Sequence, residues 1–260
     1  MFRKKIDFHI HLDFLKPKFP TLEMAASEAQ KQIVESGFES GLVLHLRTQP
    51  WSLLDVSQAL KKCSSLFAFA NIDAHAVDAE EQLRWAIRDL GYKGLKLHPR
   101  LEQYPADHPN VCKLFQAAGK LGVPVLVDAF PDGVSLQSDF HPKQYAKLAL
   151  SSPDTPLIVA HFGGIYALEF LLLAKRIPNL YFNIAYTLLY FRESHVTQDL
   201  VYCIKSLKGD RVFYGSDYPD RSIAKSLDAT LEVFKNFNLN EELQEKVLYG
   251  NAKQFMENYF

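Results

Sequence analysis

A single-domain (β/α)8 barrel, of the TIM-barrel type and spanning residues 1–260, is the α/β fold the sequence predicts, on three observations. Eight short β-rich or apolar runs recur along the 260 residues roughly every 30 positions, the length of a strand–helix–strand unit. Stretches of helical character lie between them, and strict alternation implies parallel strands joined by crossover helices. No low-complexity segment or linker divides the chain, and its 13 prolines are scattered. An open doubly wound sheet is the competing architecture.

In chain order, the first run is Ile6 to Leu12, followed by the helical stretch TLEMAASEAQKQIVESG, which stops at a glycine as helix C-termini prefer. Ser40 to Leu46 and Leu66 to Asp73 supply the second and third strands, being short, apolar and rich in β-branched or aromatic residues. AEEQLRWAIRDLG leads to the fourth, Gly94 to His98, and VCKLFQAAGKLG to the fifth, Val123 to Ala129. Leu157 to His161 is the sixth, YALEFLLLAKRIP the helix after it, and Leu180 to Ala185 and Arg211 to Ser216 complete the set. The longest irregular stretches, FLKPKFP, HPRLEQYPADHP, FPDGVSLQSDFHP and YPDRSIAKS, all follow strands. Barrel enzymes place their substrate-handling loops there, on one rim.

Composition narrows the function classes. Apolar residues are 48% of the chain and charged ones 23%, so a large core is attainable and wholesale disorder is not expected. Net charge is −1 and pI about 6.8, without a dense basic block to track a phosphate backbone, which argues against nucleic acid. The opening MFRKK runs almost at once into Asp7, His9 and His11, so it lacks the apolar region of a signal peptide, and no run is long enough to span a bilayer. No membrane partner and a cytoplasmic location are the expectation. Cys63, Cys112 and Cys203 are widely spaced and odd in number, which fits reduced thiols better than a disulfide framework.

KKIDFHIHLDF places Asp7, His9 and His11 at alternate positions of an apolar run. On a strand, residues two apart share a face about 6.6 Å apart, so both imidazoles can turn to one point, with Asp7 deeper on the same face. Two converging neutral imidazoles suit a divalent first-row metal such as zinc. Alone, H-x-H is equally a pair of structural histidines. Six of the nine histidines, His9, His11, His45, His75, His98 and His161, however, fall at or just past predicted strand ends, the active-site end of a barrel. VLVDAF, IVAHFGG and VFYGSDYP bring Asp128, His161 and Asp217 to the same rim. An aspartate after an apolar run can also simply cap a helix.

IDFHIH, GYKGLKLHP, IVAHFGG, RVFYGSDYP and the closing YGNAKQFM resemble, in order, the signature segments of the amidohydrolase superfamily. The similarity is to the amidohydrolase-related (amidohydrolase 2) branch, with its aminocarboxymuconate semialdehyde decarboxylase-like enzymes and pyrone dicarboxylate and muconolactone hydrolases. That resemblance implies one divalent metal ion, held by the strand-one H-x-H, a strand-five histidine and the strand-eight aspartate, with the strand-six histidine beside the metal-bound water. Carried over, His9, His11 and Asp217 match as ligands, and His161 as acid or base. Strand five departs from the pattern: VLVDAF places Asp128 where a histidine is expected.

With Asp128 as a second carboxylate the formal charge of the site falls from +1 to zero, the bound water becomes harder to deprotonate, and preference moves from zinc toward manganese. Aspartate is also shorter than histidine. A modified metal site, a metal-free hydrolase and a silent binding descendant all stay open; some members of the branch hydrolyse lactones without metal. Lys96 and His98 share a face of strand four; the resemblance offers a carboxylated lysine for two-metal relatives, but one lysine supports a mononuclear site better, with His98 as a substrate contact or a packing residue.

Lys16, Arg47, Arg100, Arg192 and Arg221 sit in the rim loops and can clamp a carboxylate. Phe14, Trp51, Phe130, Phe162 and Tyr186 are candidate walls, and Gly163-Gly164 a candidate anion contact at a helix start. The leading expectation is a metal-dependent hydrolase, with Asp217 or His161 taking the proton of the attacking water. Its substrate is a small carboxylate-bearing lactone, ester or amide, bound by His98, Arg100, Arg47 and Lys16. A non-oxidative decarboxylase and a silent barrel binding a small molecule or protein are the alternatives, and assembly into a homo-oligomer is open.

Overall fold

The structure is a computed structural model that describes residues 4–14, 17–137 and 140–260. Among these, eight strands form one sheet: β1 (Ile6–Ile10), β2 (Ser40–Leu44), β3 (Leu66–Asn71), β4 (Leu95–Leu97), β5 (Val125–Val127), β6 (Leu157–Val159), β7 (Leu180–Asn183) and β8 (Val212–Phe213). Each pairs with the next in sequence order, and every pairing is parallel. The last strand returns to the first: Phe8 N donates to Tyr214 O at 2.9 Å, Asp217 N to His9 O at 2.9 Å and His11 N to Tyr218 O at 2.7 Å. The sheet therefore closes, and the open doubly wound alternative falls.

Helices follow the strands as the alternation demands, beginning with α1 (Leu22–Glu35), α2 (Leu53–Leu60), α3 (Ala79–Arg88) and α4 (Pro109–Lys120). They continue with α5 (Pro142–Leu150), α6 (Ala167–Ala174), α7 (His195–Ser206) and α8 (Ile223–Asn236), and α9 (Asn251–Tyr259) ends the chain. In α1 the Thr21 side chain accepts from Met24 N, and Leu22, Ala25, Ala26, Ala29 and Ile33 form the buried stripe, the spacing of one helical face. Small alanines there let the helix lie close to the sheet.

The core has two layers. Strand residues against the helices make the larger one. The smaller lies inside the barrel, where Ile6, Phe8, Leu42, Leu44, Phe69, Leu126, Ile158 and Phe213 meet Ala252 and Phe255 of α9. Phe8 and Phe213 rings lie 4.5 Å apart, and Phe255 meets Phe8 edge-on at 5.7 Å. Burial of each such ring contributes about 1.5–3 kcal/mol, so α9 plugs the end of the barrel away from the rim loops.

The strands stop sooner than the apolar runs suggest. His98 and His161 lie beyond β4 and β6, freed from the ladder, and both side chains reach one cavity, whereas Ser216, beyond β8, accepts from Tyr218 N through its Oγ. Two stretches expected to be irregular contain short helices, Pro99–Glu102 and Gly133–Gln137. Simple alternation also fails in β1, whose register against β2 shifts between Asp7 and Ile10. Asp7 consequently does not join the histidines: its Oδ1 accepts from His9 N at 3.2 Å and Ser216 N at 2.9 Å, tying β1 to β8.

Candidate active site

A cavity of about 310 Å³ opens where the C-terminal ends of the strands converge, at the small end of the range for ligand sites. His9 and His11, His98, Arg100, Asp128 and Phe130 line it, together with Asp132, His161, Tyr186, Tyr190 and Asp217. Three polar turns make this possible. His161, Tyr186 and Asp217 all have positive φ, at 61°, 60° and 57°, a conformation costly for non-glycine residues and concentrated at functional sites. Here it bends the chain sharply after β6, β7 and β8 and turns these side chains to the mouth.

Asp217 and the first-strand histidines form one group. His9 Nε2 lies 3.1 Å from Asp217 Oδ1 and His11 Nε2 3.7 Å from the same oxygen. His11 Nδ1 faces the Leu44 carbonyl at 2.8 Å, and since a carbonyl only accepts, that nitrogen carries the proton. Burial pushes His9 down to about 3 and lowers His11, so both rings are neutral near pH 7. Burial alone would raise the Asp217 carboxyl, but His9, His161 and His11 beside it hold it below the usual carboxylate range.

Asp128 anchors a second group. Its Oδ1 is 3.1 Å from His161 Nε2 and 3.5 Å from His98 Nε2, and its Oδ2 accepts from Arg100 Nε at 3.3 Å. Burial opposes ionisation, yet His98, His161 and Arg100 draw Asp128 well below its ordinary value. Arg100 also donates through Nη1 to Asp132 Oδ2 at 3.1 Å. His161 Nδ1 meets the Ala185 carbonyl at 2.9 Å and must be its donor, which turns Nε2 toward Asp128 Oδ1.

His9, His161 and Asp217 bring donor atoms within 4.8 Å of one another, a spacing a metal ion can bridge. His11 and Asp128 line the same cavity but stand outside that triplet.

Other sequence candidates go elsewhere. His45 bonds Trp51 O and Asn71 N, and His75 packs near Asp73 and His108; neither lines the cavity. Arg47 pairs with Asp73 and Glu102, each at 3.3 Å, Arg192 with Glu232 and Arg221 with Asp220. Lys16 lies outside the described residues. Phe162 stacks on Phe182 at 4.1 Å within the core, Trp51 packs on the outer core, and Phe14 lies under Lys18. Gly163 and Gly164 have φ of 70° and 59°, and a Cβ on Gly163 would overlap the Phe170 ring; close packing explains that pair without an anion. Lys96 is buried, and its Nζ has no hydrogen-bond partner among the described residues; burial pushes it down to about 8.

Three contributors escaped the sequence reading: Asp132, Tyr190 and Asn183. Tyr190 sits in the short helix Thr187–Tyr190, its ring 5.0 Å from Tyr186 and 5.4 Å from Phe130. Asn183 is a polar residue ending an apolar strand, LYFN, and that incongruity is a readable signal.

The family model described as amidohydrolase matches residues 6–256. No curated protein matches the chain. An uncharacterised TIM-barrel protein from Bordetella bronchiseptica superposes with a TM-score of 0.80 at 19% identity, over 98% of this chain and 99% of that one. A probable 2-pyrone-4,6-dicarboxylic acid hydrolase from Acinetobacter baumannii, with citric acid bound, gives 0.69 at 16% identity over 97% and 99%. A 5-carboxyvanillate decarboxylase from Novosphingobium aromaticivorans, with bound manganese and a nitrobenzoic acid, gives 0.65 at 11% identity over 97% and 97%. These likenesses match the closed eight-stranded barrel, and no helix among the described residues is long and apolar enough to cross a membrane. With the family model running from β1 into α9, the chain belongs to the amidohydrolase family.

Proposed function

We propose that the protein hydrolyses a lactone, ester or amide of a small carboxylate-bearing molecule. One observation carries this reading: a carboxylate with imidazole partners, Asp217, and a carboxylate 3.1 Å from His161 Nε2, Asp128, line the same cavity. That is a base and an acid in one site, the requirement of water-driven acyl cleavage.

In this reading Asp217 takes a proton from the water whose oxygen attacks the substrate carbonyl carbon. His161, protonated on Nε2 in this reading, passes that proton to the leaving oxygen or nitrogen as its bond to carbon breaks. Water then returns the Asp217 proton to the His161–Asp128 pair, so one water is consumed and an acid and an alcohol or amine are released. Arg100 recognises the substrate carboxylate. Two of its five N–H groups are directed at Asp128 and Asp132, which aim the guanidinium and leave donors for a bidentate contact. Phe130, Tyr186 and Tyr190 pack on the rest of the molecule. The organic acids in the two structural neighbours support an anionic ligand.

A zinc or manganese ion, which the sequence resemblance implies, is not built into these steps. It would supply Lewis-acid polarisation of the carbonyl and an activated water. The fourth ligand position, Asp128, is already engaged by Arg100, His161 and His98, and His161 Nε2 is engaged by Asp128. Those contacts would have to break for an ion to be held.

The test is turnover across carboxylate-bearing lactones, esters and amides, with acid release and CO₂ release followed in parallel. Hydrolysis that Asp217→Asn abolishes supports the reading. CO₂ release without hydrolysis makes the site a decarboxylase, and no turnover of any kind makes it a binding site.

A further inference from the structure

Asn183, at the end of β7, is fully buried between the two inner histidines. Its Oδ1 lies 3.0 Å from the backbone N of His161. A backbone N–H only donates, so the amide oxygen must face it, and the orientation of the whole side chain follows. The amide nitrogen Nδ2 then faces His9 Nδ1 at 3.1 Å. A primary amide nitrogen also only donates, so His9 Nδ1 is the acceptor and its ring proton sits on Nε2. The far side of the ring agrees. Nε2 is the atom 3.1 Å from Asp217 Oδ1, where an N–H makes a hydrogen bond and a bare nitrogen would set two acceptors in contact.

We propose that Asn183 is a positioning residue that holds the His9 proton on Nε2, making His9 a hydrogen-bond donor to Asp217 and withdrawing it from metal coordination. His11 is held in the other tautomer by the Leu44 carbonyl, with a free Nε2 lone pair. His161 Nε2 faces Asp128 Oδ1 at 3.1 Å. Of the H-x-H pair only His11 then presents a free lone pair, so the motif supplies one ligand where a catalytic divalent ion would take two from it. The spacing of His9, His161 and Asp217 suits an ion; the proton on His9 Nε2 does not. This rests on the proposed reading only in making Asp217 the group that His9 serves.

The experiment inverts the proton. In Asn183→Asp one carboxylate oxygen still accepts from His161 N–H, while the other draws the His9 proton to Nδ1 and frees Nε2. Zinc and manganese affinity, measured by chelator competition on metal-stripped protein without substrate, rises about 10- to 100-fold over wild type. That gain disappears in the double variant Asn183→Asp with His9→Ala, which separates it from simple charge attraction. Ring ¹⁵N shifts of wild-type His9, assigned by difference from His9→Gln, report the proton on Nε2, and this arm stands even where the Asn183 variant fails to fold. A proton on Nδ1, or zinc held by wild type as tightly as by Asn183→Asp, overturns the proposal. None of these readouts needs substrate. A protein without hydrolysis but with the stated tautomer sinks the hydrolase reading alone, and turnover with the opposite tautomer sinks this inference alone.

Discussion

Asp128→Asn is the sharpest perturbation of this site, because the carboxylate is 2% exposed and meets three cationic or proton-bearing groups. An amide nitrogen turned to Arg100 Nε, now 3.3 Å from Oδ2, sets N–H against N–H, and turned to His161 Nε2, now 3.1 Å from Oδ1, it still removes the negative charge that Arg100 faces. One charge-assisted hydrogen bond is lost, about 1.5–3 kcal/mol. Arg100 keeps only Asp132, leaving a half-buried cation short of countercharge and adding about 1 kcal/mol to the loss. The expected destabilisation at pH 7 is therefore ~2.5–4 kcal/mol, which for a chain of this size lowers Tm by roughly 5–16 °C. Calorimetry and urea denaturation of the two proteins measure it. The difference should persist in half-molar salt, since buried pairs are screened little. Its sign with pH is determined: Asp128 is depressed on folding, so its contribution is complete above the unfolded carboxyl value and disappears only as pH falls through the still lower folded one. A change below about 0.5 kcal/mol, or a stabilisation, would refute the view of Asp128 as the anchor of a paired network.

Asp217→Asn should lower kcat by about 10²–10⁴ while leaving KM nearly unchanged, since in the proposed hydrolysis it removes the base and little binding. Arg100→Ala should raise KM for a carboxylate-bearing substrate roughly 10- to 100-fold and leave the corresponding neutral amide or ester unaffected, read from paired Michaelis curves. Gly163→Ala should cost about 1–3 kcal/mol, because the new methyl meets Phe170 and φ is 70°, as urea midpoints will show. Lys96→Met should stabilise the fold near pH 7 by on the order of 1–3 kcal/mol, as it removes a buried ammonium whose Nζ lacks a hydrogen-bond partner among the described residues. Because Lys96 is pushed down to about 8, the wild type regains stability as pH rises from 8 toward the unfolded lysine value, so the gap between the proteins narrows there.

What the sequence by itself determined is the frame: alternating apolar runs and amphipathic stretches suffice for a closed parallel barrel, because burial and hydrogen bonding are local demands with fixed periods. His9, His11, Asp128, His161 and Asp217 were legible for the same reason, as polar residues at the ends of apolar runs. Proton positions were not legible. Whether Asp128 serves a metal or Arg100, and which nitrogen of His9 carries hydrogen, depends on partners such as Arg100, Ala185 and Asn183 supplied by other strands. Asn183 contacts His9 across 174 positions of sequence, and no spacing rule reaches that far. Asp7 was misplaced because a register shift in β1 broke the alternation that a strand pattern assumes. Arg47, His45 and His75 follow strand ends as their sequence positions imply, but their neighbours, Asp73 and Glu102, Trp51 and Asn71, and Asp73 and His108, follow from the packing of loops. Tertiary structure decided the chemistry because hydrogen bonds have direction, and direction exists only once the barrel has closed.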